Sequence, residues 1–179
     1  MTYERAYYHK LMLEIGLTDD FDAALDKMLE EEDPLSDLAL MLATCGGRRE
    51  EQLRILREYL LDIAPEQLDR QAVFSMVADR LGSIYESDPD RLEQITKWMH
   101  SVAWSSGWWE DDPWNTMYFM NDYYGFISDG LVTKERFMEC FLRLLYQKTG
   151  SSPWPDPRRQ KKPCPLLARI KGLLQKVRV

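Results

Sequence analysis

Five carboxylates stand in a row at the spacing of one helix face. Asp19, Asp22, Asp26, Glu30 and Asp33 follow one another at intervals of three, four, four and three residues. At about 100° per residue they share one side of a helix, opposite Phe21, Leu25 and Met28. Like charges three or four positions apart weaken a helix by a few tenths of a kcal/mol each. The row reads either as a solvated face or as a docking surface for a cationic partner: another protein, or this chain's own basic end. Asp19 also sits near the helix start, where the backbone dipole favours negative charge.

A second constellation is aromatic. Five tryptophans (Trp98, Trp104, Trp108, Trp109, Trp114) fall within 17 residues, followed by Tyr118, Phe119, Tyr123, Tyr124 and Phe126, with Glu110, Asp111 and Asp112 interleaved. Aromatic faces beside carboxylates can hold a cationic ligand or form a protein contact. Trp98 and Trp114 are expected in the core, with Asp111 and Asp112 capping a helix. Trp108 and Trp109 follow Gly107 in a loop, and are the expected exposed contact together with Trp104 and Asp111.

Other chemistries lack their residues. Asp111-Asp112-Pro113-Trp114-Asn115 and Asn121–Asp129 carry carboxylates of the kind that hold magnesium. They superficially resemble the two magnesium motifs of terpene synthases, but the stretches are ten residues apart instead of on distant helices, Asn115 replaces a carboxylate, and the chain is too short for that fold. His9 and His100 are single residues without Cys or His at ligand spacing, and neither Gly-rich phosphate loop is present. No catalytic residue, metal or cofactor is assigned. Cys45, Cys140 and Cys164 are odd in number and far apart, which argues against a disulfide framework and for a reducing compartment. The first residues are polar, and no apolar run approaches the ~18 needed to span a bilayer. The expected location is cytoplasmic.

Charge is segregated along the 179 residues. The net charge is −7, yet residues 157–179 hold Arg158, Arg159, Lys161, Lys162, Arg169, Lys171, Lys176 and Arg178 with no acid. Fifteen basic and thirty acidic groups remain in residues 1–156, so a body of −15 carries a tail of +8. An acidic body repels phosphate, which leaves the tail as the only electrostatic route to nucleic acid. Membrane or nucleic-acid contact through the tail ranks behind docking on the body, exchange between protomers of a homo-oligomer, and a protein partner.

The elements that must position these residues are helical, because apolar residues recur at three and four almost throughout. About eight helices are expected. The faces are Tyr8-Leu11-Met12-Ile15; Phe21-Ala24-Leu25-Met28-Leu29; Leu35-Leu38-Ala39-Leu42; Leu53-Leu56-Leu60-Ile63; Val73-Met76-Val77-Leu81-Ile84; Leu92-Ile95-Met99-Val102; Trp114 through Met120; and Phe137-Cys140-Phe141-Leu144-Leu145. Pro34, Pro65, Pro89 and Pro113 are expected to open the third, fifth, sixth and seventh of these. The seventh is apolar on too many sides for a surface helix and is expected to be buried. Five prolines between residues 149 and 165 predict a linker. Beyond it, Leu166, Leu167, Ile170, Leu173, Leu174 and Val177 share one face of a basic amphipathic helix over 166–179.

The sequence therefore predicts an all-α, irregular multi-helix bundle over 1–148, a linker over 149–165 and a basic helix. Its expected function is non-catalytic: an interaction domain with an acidic recognition surface, such as an inhibitor or immunity-type protein for a basic enzyme. The rival expectation is a small-molecule site or enzyme built on residues 98–126, which requires a concave cavity there.

Overall fold

The computed structural model describes residues 1–153, so most of the expected linker and the whole basic helix lie outside the described residues. Eight α-helices occupy the described part, with no strand among them: α1 (Tyr3–Glu14), α2 (Asp19–Glu31), α3 (Asp37–Thr44), α4 (Arg49–Tyr59), α5 (Arg70–Ser87), α6 (Leu92–Ser106), α7 (Trp114–Ser128) and α8 (Lys134–Leu142). The last widens into a π-helical turn, Arg143–Gln147, that buries Leu144 and Leu145. The fold is an all-α multi-helix bundle. No helix among the described residues is long and apolar enough to cross a membrane.

Two apolar centres share α1. Tyr8, Leu11 and Met12 join a large core with α5, α6, α7 and α8, built around Phe74, Leu81, Met99, Trp114 and Phe137. Ala6 and Leu13 point the other way, into a smaller core with Phe21, Met28, Leu38, Leu42, Ile55 and Leu56. Residues 6 and 13 are about two turns apart and therefore lie on one face, opposite residues 8, 11 and 12. Only the second of these faces is evident from the apolar spacing. α1 is the spine on which α2–α4 are mounted beside the main bundle.

Three helix starts differ from expectation. Pro34 does not open α3; the Ser36 hydroxyl accepts from the Ala39 N–H and the helix begins at Asp37. Glu32 in turn accepts from both the N–H and the hydroxyl of Ser36, which holds its carboxyl below the usual range. Pro65 opens a single 3-10 turn, Pro65–Gln67, while α5 starts five residues later. The Asp69 carboxylate decides that start by accepting from the N–H groups of Gln71 and Ala72. Pro89 also begins a 3-10 turn, which runs on into α6. In each case a side chain accepts from free backbone N–H groups at the start: Ser36 from Ala39, Asp69 from Gln71 and Ala72, and Asp88 from Asp90. Thr133, by contrast, caps α8 as expected.

α7 is less enclosed than its composition predicts. Trp114, Thr116, Met117 and Met120 are buried, but Tyr118, Phe119, Tyr123 and Tyr124 are only half-buried. Its aromatic side turns outward along α6, its most extensive packing partner.

Candidate functional site

The acidic row is held on the outside of the smaller core. Phe21 and Met28 are the buried residues of α2, each contributing roughly 1.5–3 kcal/mol by burial; Leu29 is 38% exposed. At the N-terminal end, Asp20 accepts from the Tyr8 hydroxyl at 2.5 Å and lies 3.3 Å from Arg80 Nε. Asp19 meets the same guanidinium at 3.5 Å. Burial, reinforced by the Asp20 carboxylate, drives the Tyr8 hydroxyl far above its ordinary pKa, so it stays a donor.

The other four members behave differently. Asp22, Asp26, Glu30 and Asp33 are exposed, and none has an ion-pair or hydrogen-bond partner among the described residues. The helix dipole favours Asp19, Asp20 and Asp22 in the first turn. It disfavours Glu30 and Glu31 in the last turn, where no basic residue compensates within the helix backbone's final turn. Lys27 pairs with Glu31 at 3.7 Å, which leaves Glu30 without a cation among the described residues. Local structure therefore accounts for the beginning of the row and not for Asp26 and Glu30.

Beneath α2 lies His9, a residue with no assigned role in the sequence pattern. It is 4% exposed, its ring meets Phe21 edge-on at 5.5 Å, and its Nδ1 has no hydrogen-bond partner among the described residues. Burial lowers its pKa to about 4, with Arg5 adding to the shift and Asp20 opposing it. The imidazole is therefore neutral over the physiological range. Two open grooves flank it: one of about 250 Å³ bordered by Arg5, Lys27, Met28 and Glu31, and one of about 410 Å³ bordered by Asp20, Met76, Asp79 and Arg80. Histidine spacing gives no hint of this position; only the Ala6–Leu13 face of α1 could have placed it.

The aromatic segment divides in two. Trp108, expected at the surface, is a core residue. Gly107 turns the chain at φ +73°, and the Ser106 hydroxyl accepts from the Trp108 N–H. That turn drops the ring against Tyr7 (4.9 Å, stacked) and Trp114 (5.3 Å, edge-on), with the Arg70 guanidinium over it at 5.5 Å. The Tyr7 hydroxyl is fixed on the Ser106 carbonyl at 2.9 Å, and burial pushes its pKa up to about 12.

Trp104 is 59% exposed and Trp109 half-buried. Trp104 stacks on Trp109 at 5.9 Å, Trp109 reaches Tyr118 at 5.6 Å, and Tyr118 stacks on His100 at 4.4 Å. Phe119 and Tyr123 continue the row at 5.0 and 6.3 Å. Asp111 pairs with Arg70 at 3.2 Å, and Asp112 accepts from the Thr116 N–H and hydroxyl at the start of α7. The result is a partly exposed aromatic strip with carboxylates beside it. The described cavities lie elsewhere, two beside His9, one bordered by Leu38, Met41 and Tyr59, and one by Cys45 and Arg54.

No group of three or more His, Cys, Asp or Glu side chains is placed to hold a metal among the described residues. Cys45 and Cys140 are buried and free. The chain matches no protein-family model, no curated protein and no solved structure. The cationic residues expected to act as a tail (Arg158 through Arg178) lie outside the described residues.

Proposed function

We propose that this protein is a non-catalytic interaction domain whose α2 face recognises a cationic protein surface. The observation that carries this reading is the state of Asp22, Asp26 and Glu30: exposed, aligned, and without a cationic partner among the described residues. Clustered like charge raises the rate at which an oppositely charged protein is encountered and fixes the register in which it docks. A basic enzyme masked by this face, as an inhibitor or immunity-type protein would mask it, fits the same charge logic. Tyr8, Asp20 and Arg80 support the reading by clamping the N-terminal end of α2, so that the free carboxylates ride on a fixed element.

The test uses two immobilised baits, wild type and the Asp22→Asn/Asp26→Asn/Glu30→Gln variant, compared quantitatively for proteins retained from the native source. Basic proteins retained by wild type, lost from the variant and released by salt are the expected outcome. Equal retention on both baits, insensitive to salt, would refute it.

A further inference from the structure

The aromatic strip on α6 and α7 is a partly exposed apolar surface, and the described residues end beside it. Residues 150–153 do not leave the bundle at once. Gly150 is pressed against the start of α7, where a Cβ would come within 2.7 Å of Thr116 Oγ1 and also strike the Asp112 carboxylate. Ser152 hydrogen-bonds the Tyr123 side chain. Arg136 Nε donates to the Pro153 carbonyl at 3.0 Å, and Pro153 is buried. The described chain is thus fastened at Tyr123, which is the last ring of the strip.

We propose that the strip formed by His100, Trp104, Trp109, Tyr118, Phe119 and Tyr123 is the docking site of this chain's own residues 166–179. Three observations converge on that occupant. The first is chemical pattern. The segment's sequence places Leu166, Leu167, Ile170, Leu173, Leu174 and Val177 on one helical face, flanked by Arg169, Lys171, Lys176 and Arg178. It needs an apolar surface with carboxylates beside it, and the strip supplies both. Glu110 and Asp122 border the rings, and neither has a cationic partner among the described residues.

The second is reach. Twelve residues separate Pro153 from Leu166. At about 3.1 Å per residue for a proline-rich stretch they span up to ~37 Å, ample for a site that begins at the residue where the described chain is tied down. The third is the contrast with α2. That face offers carboxylates but, apart from Leu29, little exposed apolar area. A segment carrying six large aliphatic residues gains far more by covering aromatic rings than by lying on aspartates. With the strip as the docking site, the α2 carboxylates stay open to another molecule.

Zero-length carbodiimide cross-linking of the full chain, read by mass spectrometry, tests this. The expected links join Lys161, Lys162, Lys171 or Lys176 to Glu110, Asp111 or Asp122 within one molecule. A second full-length protein, Ile170→Asp/Leu173→Asp, should lose them at least about tenfold, and hydroxyl-radical labelling of Trp104 should rise several-fold in it. Links to Asp22, Asp26 or Glu30 would overturn the proposal. So would links between molecules in a mixture of ¹⁵N-labelled and unlabelled protein, or the absence of links with Trp104 equally reactive in both proteins.

Discussion

Lowering the pH from 7 to 5 should weaken this fold through a single buried ring. His9 has a pKa of about 4 in the folded chain because burial disfavours the imidazolium, against about 6.5 in an unfolded one. Between those values the unfolded chain binds more protons, so stability rises with pH and is lost as the pH falls through the window. The linkage expression puts the loss from pH 7 to pH 5 at about 2 kcal/mol. Below pH 4 the folded ring is also protonated and the loss levels off. Arg5 and Asp20 act on His9 in opposite directions, Arg5 lowering and Asp20 raising its pKa. The assay is urea unfolding at pH 7, 6 and 5 for wild type and His9→Leu, which keeps an apolar side chain under Phe21 but cannot titrate. The wild-type curve should fall by about 2 kcal/mol more than the variant's. Parallel pH dependences, or a wild type that gains stability on acidification, would refute the assignment of His9 as a buried neutral base.

Further expectations follow from the same geometry. Trp108→Ala should cost roughly 3–5 kcal/mol in a denaturant melt, because its ring is packed between Tyr7 and Trp114. Trp104→Ala should cost under about 1 kcal/mol, since that ring is largely in water and its contact is with neighbouring rings. Asp69→Ala removes the acceptor for two N–H groups at the head of α5 and should lower stability by about 1 kcal/mol by the same measurement. Asp26→Asn relieves like-charge contacts with Asp22 and Glu30 and should raise the melting temperature slightly, worth a few tenths of a kcal/mol per pair. That gain should accompany weaker partner binding.

How far the structure could be read from the chain depends on the interaction involved. Apolar spacing is a strong signal, so all eight helices and most core residues, Phe21, Leu81, Met99 and Phe137 among them, are evident from it. Helix starts are less so, because proline's φ is one weak preference and a capping carboxylate such as Asp69 satisfies two N–H groups at once. The opposed faces of α1 escape notice since Ala6 and Leu13 are only two residues among twelve. Missing that face hides His9 as well. Trp108 shows a further limit. Adjacent tryptophans after a glycine look alike in sequence, and only the Gly107 turn with its Ser106 hydrogen bond sends one inward and leaves the other half-exposed. The acidic row is legible up to Glu30, because exposure of same-face carboxylates follows from the desolvation that burying them would cost; α2 ends at Glu31, so Asp33, expected on the same helix face, lies beyond the helix.

The most direct check of the recognition claim is the association rate of a purified basic partner, measured against ionic strength for wild type and for Asp22→Asn/Asp26→Asn/Glu30→Gln. With the α2 carboxylates as the recognition surface, wild type should bind about tenfold or more faster at low salt and lose that advantage as salt rises. Identical rates and identical salt dependence for the two proteins would contradict it.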